Sequence, residues 1–384
     1  MTLNDVCEFI VDCPHSTAKD EGAGYPLIRT PNIGRGRLIL NDVHRVSEAA
    51  YQRRNLRATP QDDDLIMARE APAGNVAIIK NGEKVCLGQR TVLLRPDKTK
   101  VYPDYLAYYL LAPQQQYGLL GTANGATVAH VNIPVIKTLP VSLPPIEEQK
   151  KAADILIAYD DLIETNQRQI KLLEEAAQRL YREWFVDLRF PGHEDVPVVD
   201  GVPEGWKKER LVDIAEVQYG YAFDGMLFNT DREGTPIVRI RNIPDGTTED
   251  YTTERADDQY LVLNGDIVVG MDGEFHINSW SGQTAYLVQR TCRIRPKAPN
   301  MNGWLLWAIH EPIKYFEKTV VGATVAHLGK KHIDTITLLT GTEELYKPFQ
   351  DMFEKRQTLL NQNRALSEVR DRLLPKLMSG EIAV

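Results

Sequence analysis

The hexapeptide GATVAH stands at Gly125–His130 and again at Gly322–His327, 197 residues later. Three further pairs fall in the same order. PLIRTPNI, carrying Pro26, Ile28, Arg29, Asn32 and Ile33, matches PIVRIRNI, carrying Pro236, Val238, Arg239, Asn242 and Ile243. Asp64-Leu65-Ile66 answers Asp266-Ile267-Val268, and Gln89-Arg90-Thr91 with Arg95-Pro96 answers Gln289-Arg290-Thr291 with Arg295-Pro296. The offset drifts from 210 to 197, as loop insertions in one copy would produce. One shared hexapeptide can be chance; four collinear matches are not. The chain is a tandem duplication of a unit of about 200 residues, too long for a solenoid repeat.

Each unit reads in two parts. The first holds short β-branched and apolar runs: Leu65–Ala68, Val76–Lys80 and Thr91–Arg95, then Asp266–Gly270, Ala285–Val288 and Thr291–Arg295. Gly, Pro, Asn and Asp punctuate them, which is strand and turn chemistry. Helices are expected over Pro103–Leu111 and Asn302–Ile309, and strands after each GATVAH, over Ile136–Val141 and Ile333–Leu338. The second part differs. From Ile146 to Phe185 there is neither Pro nor Gly, and Glu, Lys, Gln, Leu and Ala dominate, all good helix formers. Pro144-Pro145 stand just ahead of the start.

A heptad runs through this helix. Leu156, Ile163, Ile170, Ala177 and Trp184 occupy one core position, and Tyr159, Asn166, Leu173 and Leu180 the other. At an offset of 196 the second copy has Met352, Leu359, Leu366 and Leu373, with a weaker partner row of Lys355, Gln362 and Val369. Two such helices at matched places favour packing against each other. The expected fold is α+β: two globular α/β modules in tandem (1–143 and 191–341), separated by two long antiparallel coiled-coil helices (144–190 and 342–384), with a pseudo-two-fold between the halves.

Composition narrows the function. At 43% hydrophobic and 26% charged residues, the chain is neither disordered nor collagen-like. It has no apolar run near the roughly 18 residues of a membrane span, and its opening, MTLNDVCEFIVDC, lacks the basic start of a signal peptide. Cys7, Cys13, Cys86 and Cys292 form no CxxC pair. A cytoplasmic protein with free thiols and no membrane contact is expected. Net charge is −8, yet residues 29–57 hold seven arginines against Asp42 and Glu48. Local field matters more than the total for phosphate binding, so a nucleic-acid partner is permitted.

No catalytic constellation emerges. GxGxxG, Walker A, HExxH and NPPY are absent. Pro103-Asp104 with Glu148-x-Lys150 suggests a nuclease only superficially, because the second repeat has Glu344-Leu345-Tyr346 there. His327 and His332 lack the company of a metal site. No catalytic residue, metal or cofactor is therefore expected in this chain.

The residues that remain are suited to recognition. In each GATVAH loop Thr127 and His130, or Thr324 and His327, can donate to phosphate or bases, and a Gly-Ala entry admits close backbone approach. Arg29 and Asn32, with Arg239, Arg241 and Asn242, are the side-chain types most used on guanine and adenine edges. Arg35 and Arg37 occur in one copy only. Arg69, Arg90, Arg290, Lys330 and Lys331 complete the candidate DNA contacts. The competing explanations are a turn in which Thr127 and Thr324 satisfy their own backbone, and alternating strand positions that place the Arg and Asn residues in structural hydrogen bonds.

Three stretches carry a family resemblance. They are VPEGWKKERLVDIA (Val202–Ala215), GATVAHVNIPVIKTLPVSLPPIEEQKKAADIL (Gly125–Leu156) and RDRLLPKLMSGEI (Arg370–Ile382). In these the chain resembles, over its whole length, the DNA specificity (S) subunit, HsdS, of type I restriction-modification systems. The first copy departs from the pattern by lacking the Gly-Trp lead-in. The resemblance implies a non-catalytic subunit whose two target recognition domains each read half of a bipartite, asymmetric site in double-stranded DNA. It also implies two adenine-N6 methyltransferase (M) subunits using S-adenosylmethionine, and restriction/translocase (R) subunits using ATP and Mg. The rival reading is a structural adaptor with two protein-binding modules on a coiled-coil strut. Against it, framework motifs match between halves while loops such as Gly34–Arg57 and Asp245–Asp258 do not.

The helices themselves are expected to space the half-sites, through Leu156, Ile163, Asn166, Ile170, Leu173, Leu180, Leu359, Gln362, Leu366 and Leu373. A helix from Ile146 to Phe185 is about 60 Å long at 1.5 Å per residue, and domains reading successive major grooves on one face of B-DNA need about 34 Å. Four residues inserted after Gln167 and four after Asn363 lengthen each helix by about 6 Å. Methylome sequencing should then find the gap between half-sites longer by one or two base pairs and the half-sites unchanged. An unchanged gap refutes the spacer.

Overall fold

The computed structural model describes residues 1–121, 130–319 and 326–384. They form two compact units: Met1–Asp161 with Leu366–Val384, and Leu162–Ala365. Each therefore holds one globular module together with part of both long helices. All four cysteines are buried and unbridged. No helix among the described residues is long and apolar enough to cross a membrane.

In the first unit, strands β1 (Cys7–Asp12), β2 (Gly36–Arg37), β3 (Leu65–Ala68), β4 (Val76–Ile78) and β5 (Thr91–Pro96) form one sheet in the order β1-β5-β3-β4-β2. All pairs are antiparallel except β2 with β4. Alternation along a strand explains why β3 is apolar throughout. Leu65 and Met67 pack with Val92 and Leu94 against helix Pro103–Leu111, while Ile66, Ala68 and Leu93 fill a separate cluster on the opposite face. The second unit repeats the plan. Strands β6 (Ala215–Tyr219), β7 (Ile267–Gly270), β8 (Ile277–Ser279) and β9 (Thr291–Pro296) lie in the order β6-β9-β7-β8, with Ile267, Val269, Cys292 and Ile294 facing helix Asn302–Ala308.

Two of the repeated motifs prove to be one interaction. In the first unit, Arg95 grips Asp64 with two hydrogen bonds, Nε at 2.8 Å and a terminal nitrogen at 2.7 Å. In the second, Arg295 grips Asp266 in the same way, at 2.5 and 2.6 Å. The aspartates are almost fully buried, and their hydrogen bonds raise the pKa of both arginines. The Asp-Leu-Ile and Arg-Pro matches thus mark a buried brace across the sheet, not a ligand contact.

The segments after GATVAH differ from expectation. Ile136–Val141 is not a strand: Ile133–Thr138 is a short helix with Pro134 in its first turn and the Thr138 hydroxyl on the Pro134 carbonyl at 2.8 Å. A proline there has the right φ and no amide to lose, which outweighs the β-branched composition. Beyond it the chain start is tied down, with Leu3 N–H on the Leu139 carbonyl at 2.8 Å and Val141 N–H on the Met1 carbonyl at 2.9 Å. In the second copy Lys330–Ile333 is helical and Thr337–Thr340 is a strand paired with Lys207–Arg210, which the Gly-Trp lead-in stretch supplies.

The long helices span Ile146–Tyr181, ending in a π turn at Arg182–Val186, and Lys347–Ser379. In the first, Leu156, Ile163, Asn166, Ile170 and Ala177 are buried, and Leu173 and Leu180 half-buried. Within the first unit Leu156 shares a core with Leu374 and Leu377; within the second, Ala177 shares one with Phe349 and Phe353. The helices therefore run antiparallel. The second helix departs from its expected frame by one residue. Leu359 is buried and Leu366 and Leu373 are half-buried, but Lys355, Gln362 and Val369 are exposed. Arg356, Asn363 and Arg370 take the inner row instead. Each has a partner on the first helix: Glu174 at 2.6 Å, Asn166 at 2.9 Å and Asp160 at 2.7 Å.

Removing one member of a buried ion pair strands the other. Asp64→Ala should therefore destabilise the chain by about 3 kcal/mol, the lower end for a broken buried pair because Arg95 retains some access to water. Urea denaturation followed by circular dichroism checks this. A loss below about 0.5 kcal/mol, the scale of an ordinary surface change, would contradict the brace.

Candidate nucleic-acid interface

The repeated QRT motif and the histidine that closes each GATVAH motif, His130 or His327, meet on one platform in each unit. Arg69 N–H donates to the Arg90 carbonyl, and Val131 N–H to the Arg69 carbonyl, both at 2.8 Å. In the second unit Met271 and Leu328 make the equivalent bonds, to Arg290 at 2.9 Å and Met271 at 2.7 Å. Three distant segments are thereby laced together at the end of β3 or β7. The loop arginines adopt left-handed backbone, φ 64° at Arg90 and 67° at Arg290. That conformation is uncommon outside Gly, Asn and Asp, and finding it at the same non-glycine residue twice marks a shared constraint.

A carboxylate sits beneath each loop pair. Glu70 takes Arg90 at 2.8 Å and Nδ1 of His130 at 3.0 Å. Asp272 takes Arg290 at 3.0 Å and Nδ1 of His327 at 2.5 Å. The carboxylates are mostly buried, whereas the Arg90 and Arg290 side chains are 62% and 67% exposed. An exposed guanidinium held by one edge keeps other N–H donors directed at solvent, in a fixed fork suited to phosphate or a base edge.

The surroundings then diverge. In the first unit Arg69 is inserted beside the triad, giving Nε to the Val131 carbonyl, one terminal nitrogen to Asp12 and the other to Nε2 of His130, all at 2.9 Å. His130 therefore carries its proton on Nδ1 and accepts on Nε2. His15 pairs with Asp12 at 3.0 Å, and His15, Arg69, Glu70, Gln89, Arg90 and His130 line a cleft of about 380 Å³. In the second unit Met271 stands where Arg69 does, and Tyr219 at the strand position of Asp12. One frame thus carries two different linings.

Residues 1–175 match the family model described as the type I restriction modification DNA specificity domain. The chain is 27% identical over 391 residues to the MjaIX specificity subunit of Methanocaldococcus jannaschii, covering 97% of this chain and 87% of that one. It is 29% identical over 163 residues to the EcoBI specificity subunit of Escherichia coli, covering 42% of this chain and 34% of that one. A crystal structure of the type I S subunit from M. genitalium superposes with a TM-score of 0.56 over 98% of this chain and 95% of that one, at 15% identity, which speaks to the fold. Residues 1–175 thus match the type I specificity domain, and nearly the whole chain is similar to a type I specificity subunit.

That similarity makes the position of each candidate base-reading residue informative. Arg69, Arg90, His130, Arg290 and His327 gather at the two platforms, and Lys330 and Lys331 are exposed just beyond His327. Asn32 and Asn242 instead cap turns, each accepting the N–H of Arg29 or Arg239, at 3.1 and 2.8 Å. The Arg29 Nε is buried and has no hydrogen-bond partner among the described residues, and Arg239 lies over the Phe228 ring. Arg241 and Asn242 both hold Asp250, whose carboxyl they keep below the usual range despite its burial. Arg35 reaches the Leu111 carbonyl at 3.4 Å, and Arg37 pairs with Asp161 at 2.5 Å. Thr127 and Thr324 lie outside the described residues.

A search for DNA contacts that counts only cations and amides passes over Glu70 and Asp272. A signal was nevertheless present: in both copies an acid stands six residues after the repeated aspartate, in DLIMARE and DIVVGMD.

Proposed function

We propose that this chain is the DNA-reading subunit of a type I restriction-modification complex, with modules 1–143 and 191–341 each reading one half of a bipartite, asymmetric site in double-stranded DNA. The observation that carries this is the pair of platforms. The same carboxylate-held Arg and His recur in both units, while the residues around them differ in charge and shape. Identical frames suit two chemically identical backbones, and different linings suit two different base sequences.

The chain performs no chemistry in this reading. Adenine-N6 methylation belongs to two methyltransferase subunits that bring S-adenosylmethionine, and cleavage to restriction/translocase subunits that bring ATP and Mg. This subunit places them on DNA.

Arg90→Ala and Arg290→Ala, each assembled with the methyltransferase, test the reading. Each should weaken binding by about 1–3 kcal/mol if its guanidinium reads a base, or reduce the salt slope by about 1 if it holds a phosphate. Gel shifts at several salt concentrations measure both quantities. Any relaxed specificity, followed by mapping methylated adenines, should fall in one half-site for Arg90→Ala and in the other for Arg290→Ala. Undiminished DNA binding by both variants, or relaxation of both half-sites by one of them, would falsify the assignment.

A further inference from the structure

The two ion pairs between the long helices occupy equivalent places with opposite polarity. Asp160 on the first helix pairs with Arg370 on the second, within the first unit; Glu174 on the first pairs with Arg356 on the second, within the other. The repeat offset of 196 relates Asp160 to Arg356 and Glu174 to Arg370. The duplication thus conserves the two places and exchanges the signs. The first helix presents only acids there, and the second only arginines.

These groups are built in. Asp160 and Arg356 are 6% and 7% exposed. The second Asp160 oxygen accepts from the Tyr108 hydroxyl at 2.6 Å, and burial followed by the Asp160 charge pushes that phenol's pKa up. Burial opposes the Arg370 charge, but Asp160 and Asp371 outweigh it and its pKa is raised. Arg356 donates to Ser279 Oγ at 2.5 Å and to Asn278 Oδ1 at 2.8 Å as well as to Glu174. A buried ion pair gains little over apolar packing, whereas a buried charge without its partner is costly, so its main effect is on which partner is accepted.

We infer that these four charges, rather than the apolar seam, decide what each long helix pairs with: the first accepts a helix presenting arginines at both registers and rejects a second copy of itself. The seam cannot make this choice. Both helices present large apolar side chains, Leu and Ile on the first and Leu, Met and Phe on the second, and Asn166 would meet an amide, Gln167 or its equivalent, in a like pair too. Two first helices laid antiparallel in the same register would bury Asp160 against Glu174 twice. Two second helices would bury Arg356 against Arg370 twice. The partner surface that fits is therefore the other repeat's helix, from the same chain or from a second copy exchanging it.

Full-length charge-reversed chains test this. One variant carries Arg356→Glu with Arg370→Glu, the other Asp160→Arg with Glu174→Arg. Tyr108, Asn278 and Ser279 can donate or accept, so they tolerate either sign. Alone, each variant faces like charges at both registers, and its urea midpoint should fall. Unfolded, mixed and refolded together, they should exchange helices into a 1:1 complex of twice the mass by sedimentation velocity, with the midpoint restored. Should either aggregate alone, co-expression with different affinity tags gives the same reading: each should capture the other, and neither should capture a second copy of itself. A mixture that sediments and melts as its separate components, with no cross-capture, overturns the inference.

Discussion

A helix of 36 residues with one apolar stripe cannot persist in water alone, because its seam stays wet and nothing replaces the lost packing. Everything else in this molecule depends on meeting that need. A second helix of similar length, grown from the same repeat, covers the stripe. Where the seam turns polar, three pairs cross it: Asp160 with Arg370, Asn166 with Asn363, Glu174 with Arg356. Each globular module packs its own core against the part of this helix pair that belongs to its own unit.

The modules show which features a duplicated reader must keep and which it is free to change. The buried brace of Asp64 with Arg95 recurs as Asp266 with Arg295, and the main-chain lacing beneath Arg90 recurs beneath Arg290. Both set backbone geometry. What changes is the chemistry exposed above them: Arg69, His15 and Asp12 in one unit, Met271 and Tyr219 at matching places in the other. Left-handed Arg90 and Arg290 sit at the boundary between the two categories. Their backbone belongs to the frame, and their side chains to the surface.

Much of this was legible in the sequence. Strand Leu65–Ala68, helix Pro103–Leu111 and the long helix from Ile146 follow from composition and period, because local propensity and packing agree there. The frame of the second helix was not, because Arg356, Asn363 and Arg370 look like solvent-facing residues until their partners 182 to 210 positions away are known. Tertiary pairing also reassigns Asn32 and Asn242. Their types suit adenine, but an amide beside a tight turn caps it first. Glu70 and Asp272 carry the converse lesson. An acid placed under an arginine and a histidine is the part of such a surface that composition hides, since it lowers net charge while fixing the geometry of the groups above it.

The central claim is that the two carboxylate-held Arg and His pairs face the DNA. Photocrosslinking measures this directly: duplex carrying 5-iodouracil throughout its recognised site, bound to the subunit assembled with its methyltransferase, irradiated and mapped by mass spectrometry. Crosslinks from one half-site should fall on peptides containing Gln89–Arg90 or His130–Val131, and from the other on peptides containing Gln289–Arg290 or His327–Lys331. Crosslinks confined to other peptides, or the same peptides labelled from both half-sites, would contradict the account.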